Sequence, residues 1–364
     1  MWDFSQHHFV IAEAYFKEGL LDESIVEYHL ALNANPKHIR ARHNLAFALT
    51  EIGRISDAIK EYRELLNIKP NLVEARSNLG VLLDRQGDVE EAIVEFRQAL
   101  QISPLDNSTH YNLGNALRKL GNTDDAIASY QKSLCIDSKH RKAHLNLGVS
   151  FIEAGRLMDA ASEFHQLLKL DTNCKKAHFN LGIVLEKQGK LNAAVAEFKK
   201  ALDADSRYAN AYFGLGNVLH KQGKVEAAIS AYQEVLRVEP EYAAALLNLG
   251  LCYSDLGNEE AAIAEYRLSL TIHPDQAKAY YNLGVSLSRV QKLDDAIVAL
   301  YHSLQIDPNN ADVHYLLGLL LIKQSLYTKA AIELRETLRL NPKHSEAKEL
   351  LRSCHSYENV IRRN

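Results

Sequence analysis

The sequence predicts an all-α solenoid of stacked helix pairs, because proline, glycine and alanine all recur with one period of 34 residues. All seven prolines stand on this period, at Pro36, Pro70, Pro104, Pro240, Pro274, Pro308 and Pro342. Every glycine except Gly214 falls at one of two further points of the same period. A period of this length, carried by residues with special backbone or packing requirements, indicates one helical unit stacked on copies of itself.

The period divides the chain into ten repeats without insertion or deletion when the prolines are numbered as position 32 of each unit. The repeats span 5–38, 39–72, 73–106, 107–140, 141–174, 175–208, 209–242, 243–276, 277–310 and 311–344. Residues 1–4 form an N-terminal extension. A compact chain of 364 residues usually forms about two or three domains, but a stacked array grows in one dimension, so we expect one elongated domain.

Each repeat contains two amphipathic stretches separated by the glycine at position 15, which can take the left-handed conformation that ends a helix. In repeat 3 this pattern predicts a first helix over 73–86 and a second over 88–102. Pro104 closes that unit where the next helix begins, a place where a missing N–H costs little. Position 8 is Gly or Ala throughout, and position 20 is Ala in every repeat except the first, which has Ser24. Small residues at these facing positions predict a tight antiparallel helix pair.

The segment after the last repeat continues a helical apolar spacing. Ala347, Leu350, Leu351 and Cys354 recur on one face, and the other residues of 345–364 are mostly polar. We expect a C-terminal capping helix that solvates the end of the array, and we expect the array to end there.

The repeats resemble the tetratricopeptide repeat family. The resemblance rests on Asn-Leu-Gly at positions 6–8, a small residue at position 20, an aromatic residue at position 24 and proline at position 32. It implies a right-handed superhelix whose first helices line a concave groove. Repeats 4 to 6 lack the proline, Gln291 and Ser325 replace the helix-ending glycine, and Leu300 and Leu334 replace the aromatic residue. These departures affect individual turns rather than the fold.

Composition excludes several classes of function. The net charge of -4 and the isoelectric point near 6.5 give no basic field for nucleic acid. The sequence contains neither a signal peptide nor a long apolar run, so no membrane association is expected. The cysteines, Cys135, Cys174, Cys252 and Cys354, form no CxxC pair that would indicate a zinc site or a disulfide framework. A reducing, cytoplasmic location fits this spacing.

Catalytic and metal-binding motifs are not found in the sequence. His110, His144, His178 and His314 recur at position 4, and side chains one repeat apart belong to neighbouring units rather than to one metal site. We therefore expect these histidines to be packing or surface residues. Acidic pairs such as Asp124-Asp125 open second helices, where negative charge suits the helix dipole. The prediction is a protein with no catalytic residues, no metal and no cofactor.

The strongest candidate for a binding site is a series of asparagines at position 6. On a helix, positions 2, 5, 6, 9 and 13 lie opposite positions 4, 7, 8 and 11, the side that carries core residues such as Leu79, Gly80 and Leu83. The series comprises Asn44, Asn78, Asn112, Asn146, Asn180, Asn248 and Asn282. An amide offers both a donor and an acceptor, which suits the backbone of an extended peptide. The arrangement resembles the asparagine ladder in the arms of O-GlcNAc transferases and kinesin light chains. The alternative is that the amides only fix local hydrogen bonds.

Position 5 places bulky side chains beside this ladder. Tyr111, Phe179, Phe213, Tyr281 and Tyr315 form a row, and a row of exposed apolar residues usually marks a site for a partner. We expect them to contact the side chains of a ligand. The alternative is that they pack partly against the adjacent unit.

The same face carries an excess of positive charge. Positions 2, 5, 9, 12 and 13 of the ten repeats hold twelve Lys or Arg and eight Asp or Glu, although the whole chain has a net charge of -4. At position 13, Lys119, Lys187, Lys221 and Arg289 are expected to steer a neutral to acidic segment to the ladder.

These observations predict a non-catalytic scaffold that binds an extended segment of another protein in its groove. A first alternative is the substrate-recognition arm of an enzyme like the O-GlcNAc transferases. A second is a self-assembling scaffold, in which Phe9, Val10 and Phe16 of the end repeat make the contact and give a homo-oligomer.

Overall fold

The computed structural model describes residues 3–361, with side chains described as far as His355. Residues 1 and 2 of the predicted extension and residues 362–364 of the predicted capping helix lie outside the described residues. The described part of the chain is all α-helical, with no strand.

Each repeat forms two helices, as predicted. The first helices are α1 (Phe4–Lys17), α3 (Ile39–Glu51), α5 (Val73–Gln86), α7 (Asn107–Lys119), α9 (Arg141–Glu153), α11 (Lys175–Lys187), α13 (Ala209–Lys221), α15 (Ala243–Asp255), α17 (Ala277–Arg289) and α19 (Ala311–Lys323). The second helices are α2 (Leu21–Ala34), α4 (Ile55–Ile68), α6 (Val89–Ile102), α8 (Thr123–Ile136), α10 (Leu157–Leu170), α12 (Leu191–Ala204), α14 (Val225–Val238), α16 (Glu259–Ile272), α18 (Leu293–Ile306) and α20 (Tyr327–Leu340). A final helix, α21, spans Ser345–Ile361.

Two compact units make up the fold, Met1–Asn180 and Leu181–Asn364. In the first unit each helix from α1 to α10 packs against the next helix along the chain. The helices from α12 to α21 do the same in the second unit. The sequence predicts one elongated domain, and the contacts group into two units because a stacked array has no core shared by all of its helices.

The turn inside each repeat has a left-handed residue at position 15. The glycines there have φ between 73° and 102°. Gln291 and Ser325 keep the same conformation, with φ of 59° and 60°. The turn is therefore retained where the glycine is missing, because the packing of the two helices requires it. Proline is also dispensable: α8, α10 and α12 end at position 30, as the second helices followed by proline do.

The core of each repeat depends on the close approach of its two helices. A Cβ added at Gly148 would lie 2.5 Å from the ring of Phe164, and one added at Gly80 would lie 2.6 Å from the ring of Phe96. Both rings are fully buried. Position 8 is thus small because the aromatic residue at position 24 lies directly on the backbone of the first helix.

Helix α21 covers apolar surface at the end of the second unit. Ala347 and Cys354 are buried, and Leu350 and Leu351 are partly buried against the same core cluster. The opposite side of the helix presents exposed polar residues such as Glu349. This arrangement is that of a helix which solvates the last repeat.

Candidate peptide-binding face

The residues at positions 2, 5, 6, 9 and 13 of the first helices, here called the asparagine face, are the accessible side of those helices. Positions 2 and 13 are exposed in all ten repeats. All seven asparagines at position 6 are half-buried, whereas the leucines at position 7 are buried. The pattern agrees with a face that points away from the core. Positions 3 and 10 are buried as well from repeat 2 onwards, which the helical-wheel argument did not predict.

The ladder asparagines join neighbouring repeats through their amide nitrogens. Asn146 Nδ2 donates to Asn115 Oδ1 at 2.8 Å and to the Tyr111 hydroxyl at 3.2 Å. The Tyr130 hydroxyl donates to the same Asn115 Oδ1 at 2.8 Å. The second unit repeats this network, where Asn217 Oδ1 accepts from Tyr232 at 2.8 Å and from Asn248 at 2.9 Å.

The other ladder amides vary in their partners. Asn44 Nδ2 donates to Glu13 at 3.1 Å, Asn78 Nδ2 to the Tyr62 hydroxyl at 3.2 Å, and Asn180 Nδ2 to the carbonyl of Lys176 at 2.8 Å. The side chain of Asn112 makes no hydrogen bond within the described residues. Asn282 Nδ2 is buried and unpaired there. Local hydrogen bonding, the alternative to a peptide grip, therefore accounts for most of the amide nitrogens.

The amide oxygens present a different picture. Among the described residues, none donates a hydrogen bond to Oδ1 of Asn78, Asn146 or Asn248, although each of their nitrogens does donate. One half of these amides is engaged by the protein and the other half keeps its capacity to accept.

Two asparagines at position 9, Asn115 and Asn217, belong to this network and were not predicted from the sequence as part of it. Each precedes by 31 residues an asparagine at position 6, Asn146 or Asn248. That spacing is a signal the sequence contains, since it joins position 9 of one repeat to position 6 of the next.

The position-5 residues are half-buried and pack mainly on their own repeat. The centroid of the Tyr111 ring lies 6.0 Å from that of the Tyr130 ring and 4.8 Å from that of the His140 ring. Phe213 has the same neighbours in its repeat, 5.9 Å from Tyr232 and 5.1 Å from Tyr242.

The remaining members of this row are also half-buried. The Tyr315 hydroxyl donates to Glu346 at 2.6 Å, Tyr281 packs against the core cluster at the end of the second unit, and Phe179 is half-buried in α11. Each of the five side chains keeps part of its surface exposed.

Three of the four predicted cations are already paired. Lys119 contacts Asp84 at 2.7 Å, Lys221 contacts Glu186 at 2.7 Å, and Arg289 contacts Glu259 at 2.7 Å. Lys187 forms no ion pair within the described residues, and the same holds for Arg85 and Lys323 at position 13 of repeats 3 and 10. The positive charge of the asparagine face is therefore smaller than the count of basic residues indicates, because the acids of neighbouring repeats neutralise it.

Gly214 interrupts the ladder for a steric reason. A Cβ at this residue would lie 2.7 Å from the Phe198 ring. An asparagine cannot be placed here without displacing that buried ring.

In the first repeat, two of the three residues that the self-assembly hypothesis places in a contact between copies are not exposed. Phe9 is buried, with its ring 4.9 Å from that of His38, so it offers no contact to a second copy. Phe16 lies half-buried against Phe47 at 5.7 Å. Of the three residues proposed for that contact, only Val10 is exposed.

Comparison with known families identifies the architecture. Models described as tetratricopeptide repeat match residues 213–277, 108–140 and 289–354, and a model described as TPR repeat matches 48–87, 83–121 and 187–223. Together they cover more than half of the chain. The chain belongs to the tetratricopeptide repeat family.

Solved structures of tetratricopeptide proteins share the fold. A repeat protein from Parabacteroides merdae has a TM-score of 0.57 at 17% identity, covering 68% of this chain and 98% of its own. The Cut9–Hcn1 hetero-tetramer of APC/C gives 0.53 at 17% identity, covering 96% and 76%. PilF of Pseudomonas aeruginosa gives 0.54 at 24% identity, covering 58% and 97%. No curated protein sequence matches the chain.

The histidines at position 4 of the tetratricopeptide units have structural partners. In four of them the ring nitrogen Nε2 lies near the carbonyl oxygen six residues earlier: 2.9 Å for His110, 3.0 Å for His144, 3.1 Å for His178 and 3.2 Å for His314. These contacts tie α7, α9, α11 and α19 to the turns before them. Within residues 3–355, no group of three or more His, Cys, Asp or Glu side chains is placed to hold a metal ion. Every helix of the described chain is too short or too polar to span a lipid bilayer.

Proposed function

We propose that this protein-interaction scaffold is non-catalytic and holds an extended segment of a partner protein along its asparagine face, with the asparagine Oδ1 atoms accepting backbone N–H groups of that segment. We place it in the reducing cytoplasm, as the cysteine spacing favours. The proposal rests on one observation: Asn78, Asn146 and Asn248 each donate through the amide nitrogen within the protein, and no described residue donates to their amide oxygens.

An amide held in this way is oriented before the ligand arrives. Because Asn146 is fixed by Asn115 and Tyr111, little conformational freedom remains to be lost on binding. Each added hydrogen bond is worth about 0.5–1.5 kcal/mol, so a row of them supports binding without strong sequence preference. The half-buried position-5 rings then supply apolar contact to alternate side chains.

Peptides selected from a phage-displayed library of random 15-residue sequences provide the probe. The Asn112→Ala variant is the sharpest test, because the Asn112 side chain makes no hydrogen bond within the described residues. We expect it to weaken a selected peptide by about 2- to 10-fold with unchanged stability. Asn146→Ala should weaken binding similarly and also lower stability by about 1 kcal/mol, since it removes the bonds to Asn115 and Tyr111.

Asn309→Ala is the matched control, because it makes the same change at an exposed turn residue outside the asparagine face. A copy of the peptide with N-methyl groups at alternate residues should bind at least about tenfold more weakly, since it lacks the N–H donors. Equal affinity of the N-methylated and unmodified peptides would exclude the backbone grip.

The preference for acidic segments is tested with the unpaired cations. The triple change Arg85→Glu, Lys187→Glu and Lys323→Glu should slow association of an acidic peptide, and salt should slow the unaltered protein, because both reduce steering. Lys119→Glu is a poor substitute, since it also breaks the pair with Asp84. If neither the triple substitution nor added salt changes the association rate, the apolar row at position 5 is the source of the affinity.

A further inference from the structure

A cavity of about 660 Å³ lies between α6, α7 and α8 in the first unit. Leu100, Leu105 and Leu113 form apolar walls, and His110 and Ser129 supply polar atoms. The lining of α7 comes from positions 4, 7 and 11, so the cavity is separate from the asparagine face. A volume of this size is within the range of small-molecule sites.

The cavity lies where repeat 4 breaks a pairing rule between positions 4 and 23. A basic residue at position 4 contacts a glutamate at position 23 of the same repeat. These pairs are His8–Glu27 at 2.6 Å, Arg42–Glu61 at 2.5 Å, Arg76–Glu95 at 2.7 Å, His144–Glu163 at 2.7 Å and His314–Glu333 at 2.6 Å. In each pair, the glutamate of the second helix supplies a carboxylate partner for the basic side chain of the first helix.

Repeat 4 keeps the histidine but lacks the carboxylate. Position 23 is Ser129, whose hydroxyl donates to the carbonyl of Asp125 at 2.8 Å rather than to the histidine. His110 is only 6% exposed, and its Nδ1 is buried with no hydrogen-bond partner. Its Nε2 bonds to the carbonyl of Pro104 at 2.9 Å. A buried polar atom without a partner costs free energy, so the site is incomplete as it stands.

Other repeats that lose the glutamate also lose the basic residue. Position 23 is Ala231 in repeat 7 and Ala299 in repeat 9, and position 4 is then Tyr212 and Tyr280. A smaller cavity of about 210 Å³ lies beside Tyr280, whose ring stacks on His302 at 5.1 Å. The chain thus changes both positions together there, and repeat 4 is the one that retains a histidine opposite a small residue.

We propose that the repeat 4 cavity binds a carboxylate carried on an apolar body. The carboxylate takes the place of the missing glutamate beside His110 Nδ1, and the body lies against Leu100, Leu105 and Leu113. Binding of the carboxylate favours the charged imidazolium, whose two N–H groups then both have acceptors. Arg97 and Lys132 at the cavity add positive charge, and Asp125, 3.9 Å from Arg97, offsets part of it.

Octanoate and N-acetyl-leucine are the probes, the first for a free carboxylic acid and the second for the C-terminal residue of a peptide. We expect at least one to bind in calorimetry and to shift the His110 ring signals in NMR spectra, with octan-1-ol at least about tenfold weaker because it lacks the carboxylate. The stronger probe identifies the source. Occupation should also slow labelling of the exposed Cys135 thiol at the cavity.

Ser129→Glu supplies the missing carboxylate from the chain itself. It should weaken probe binding by at least about tenfold. It should also raise the thermal unfolding temperature, because the new carboxylate pairs with His110. Ser230→Glu, the same change at an exposed residue of α14, should leave binding intact. Octanoate binding that survives Ser129→Glu, or no movement of the His110 signals with either probe, would overturn the proposal.

Discussion

Glu163→Gln should lower the stability of the helix pair around His144, and the loss should depend on pH because of the two hydrogen-bond partners of His144. His144 Nδ1 lies 2.7 Å from the Glu163 carboxylate, and Nε2 lies 3.0 Å from the Ser138 carbonyl. Both partners are acceptors, so only the charged imidazolium satisfies both. The hydrogen bond to Glu163 holds the pKa of His144 above its ordinary value, against the opposing effect of burial.

The size of the effect follows from the geometry. The two side chains are only 10% and 21% exposed, so solvent screens the pair weakly. A hydrogen bond to a charged group contributes about 1.5–3 kcal/mol and a neutral one about 0.5–1.5 kcal/mol. Replacing the carboxylate by an amide should therefore cost about 1 kcal/mol, or about a fivefold change in a local opening equilibrium at room temperature.

The sign of the pH dependence is determined by the raised pKa. A group whose pKa is raised on folding stabilises fully below its unfolded value of about 6.5, and that stabilisation is lost as pH rises through the folded pKa. The difference between the native protein and Glu163→Gln should be largest near pH 5.5 and should shrink towards pH 8.5.

Native-state hydrogen exchange of amides in α9 and α10 is the appropriate assay, because stability in a stacked array is local. At pH 5.5 these amides should exchange about fivefold faster in the variant, and an NMR titration should show a lower pKa for His144. Glu241→Gln removes the same charge at an exposed turn and should change neither quantity. An unaltered His144 pKa, or an equal exchange difference at both pH values, would refute the reasoning.

Three further outcomes are expected. Gln291→Gly and Ser325→Gly should each raise the free energy of unfolding by about 0.5–1 kcal/mol in urea titrations. The left-handed conformation strains a residue that has a side chain, and relief of this strain outweighs the larger conformational entropy that glycine loses on folding. Gly148→Ala should lower it by about 1 kcal/mol, since displacing the Phe164 ring outweighs the better helix propensity of alanine, and no loss would show that the ring adapts. Deleting 345–364 should expose the core cluster of the last repeats, which light scattering will show as aggregation and hydrogen exchange as lost protection in α19 and α20.

The helix pairs and their boundaries were predictable from the sequence, because residues with strict local requirements mark them. Glycine at position 15 ends the first helix, and the small residue at position 8 admits the ring at position 24. In repeat 3 the predicted second helix, 88–102, differs from α6 only in that Asp88 precedes the helix as its N-cap. Periodicity alone also identified the accessible face of the first helices, since burial on a helix follows its turn.

The tertiary structure decided which atoms on that face remain available. Whether Asn146 donates inward or outward depends on Asn115 of the preceding repeat, and whether Lys119 is a free charge depends on Asp84. Both partners come from a different repeat, so the spacing within one unit does not reveal them. The unpaired Nδ1 of His110 is likewise a property of packing, because its partner position is 19 residues away and becomes adjacent only when two helices lie antiparallel.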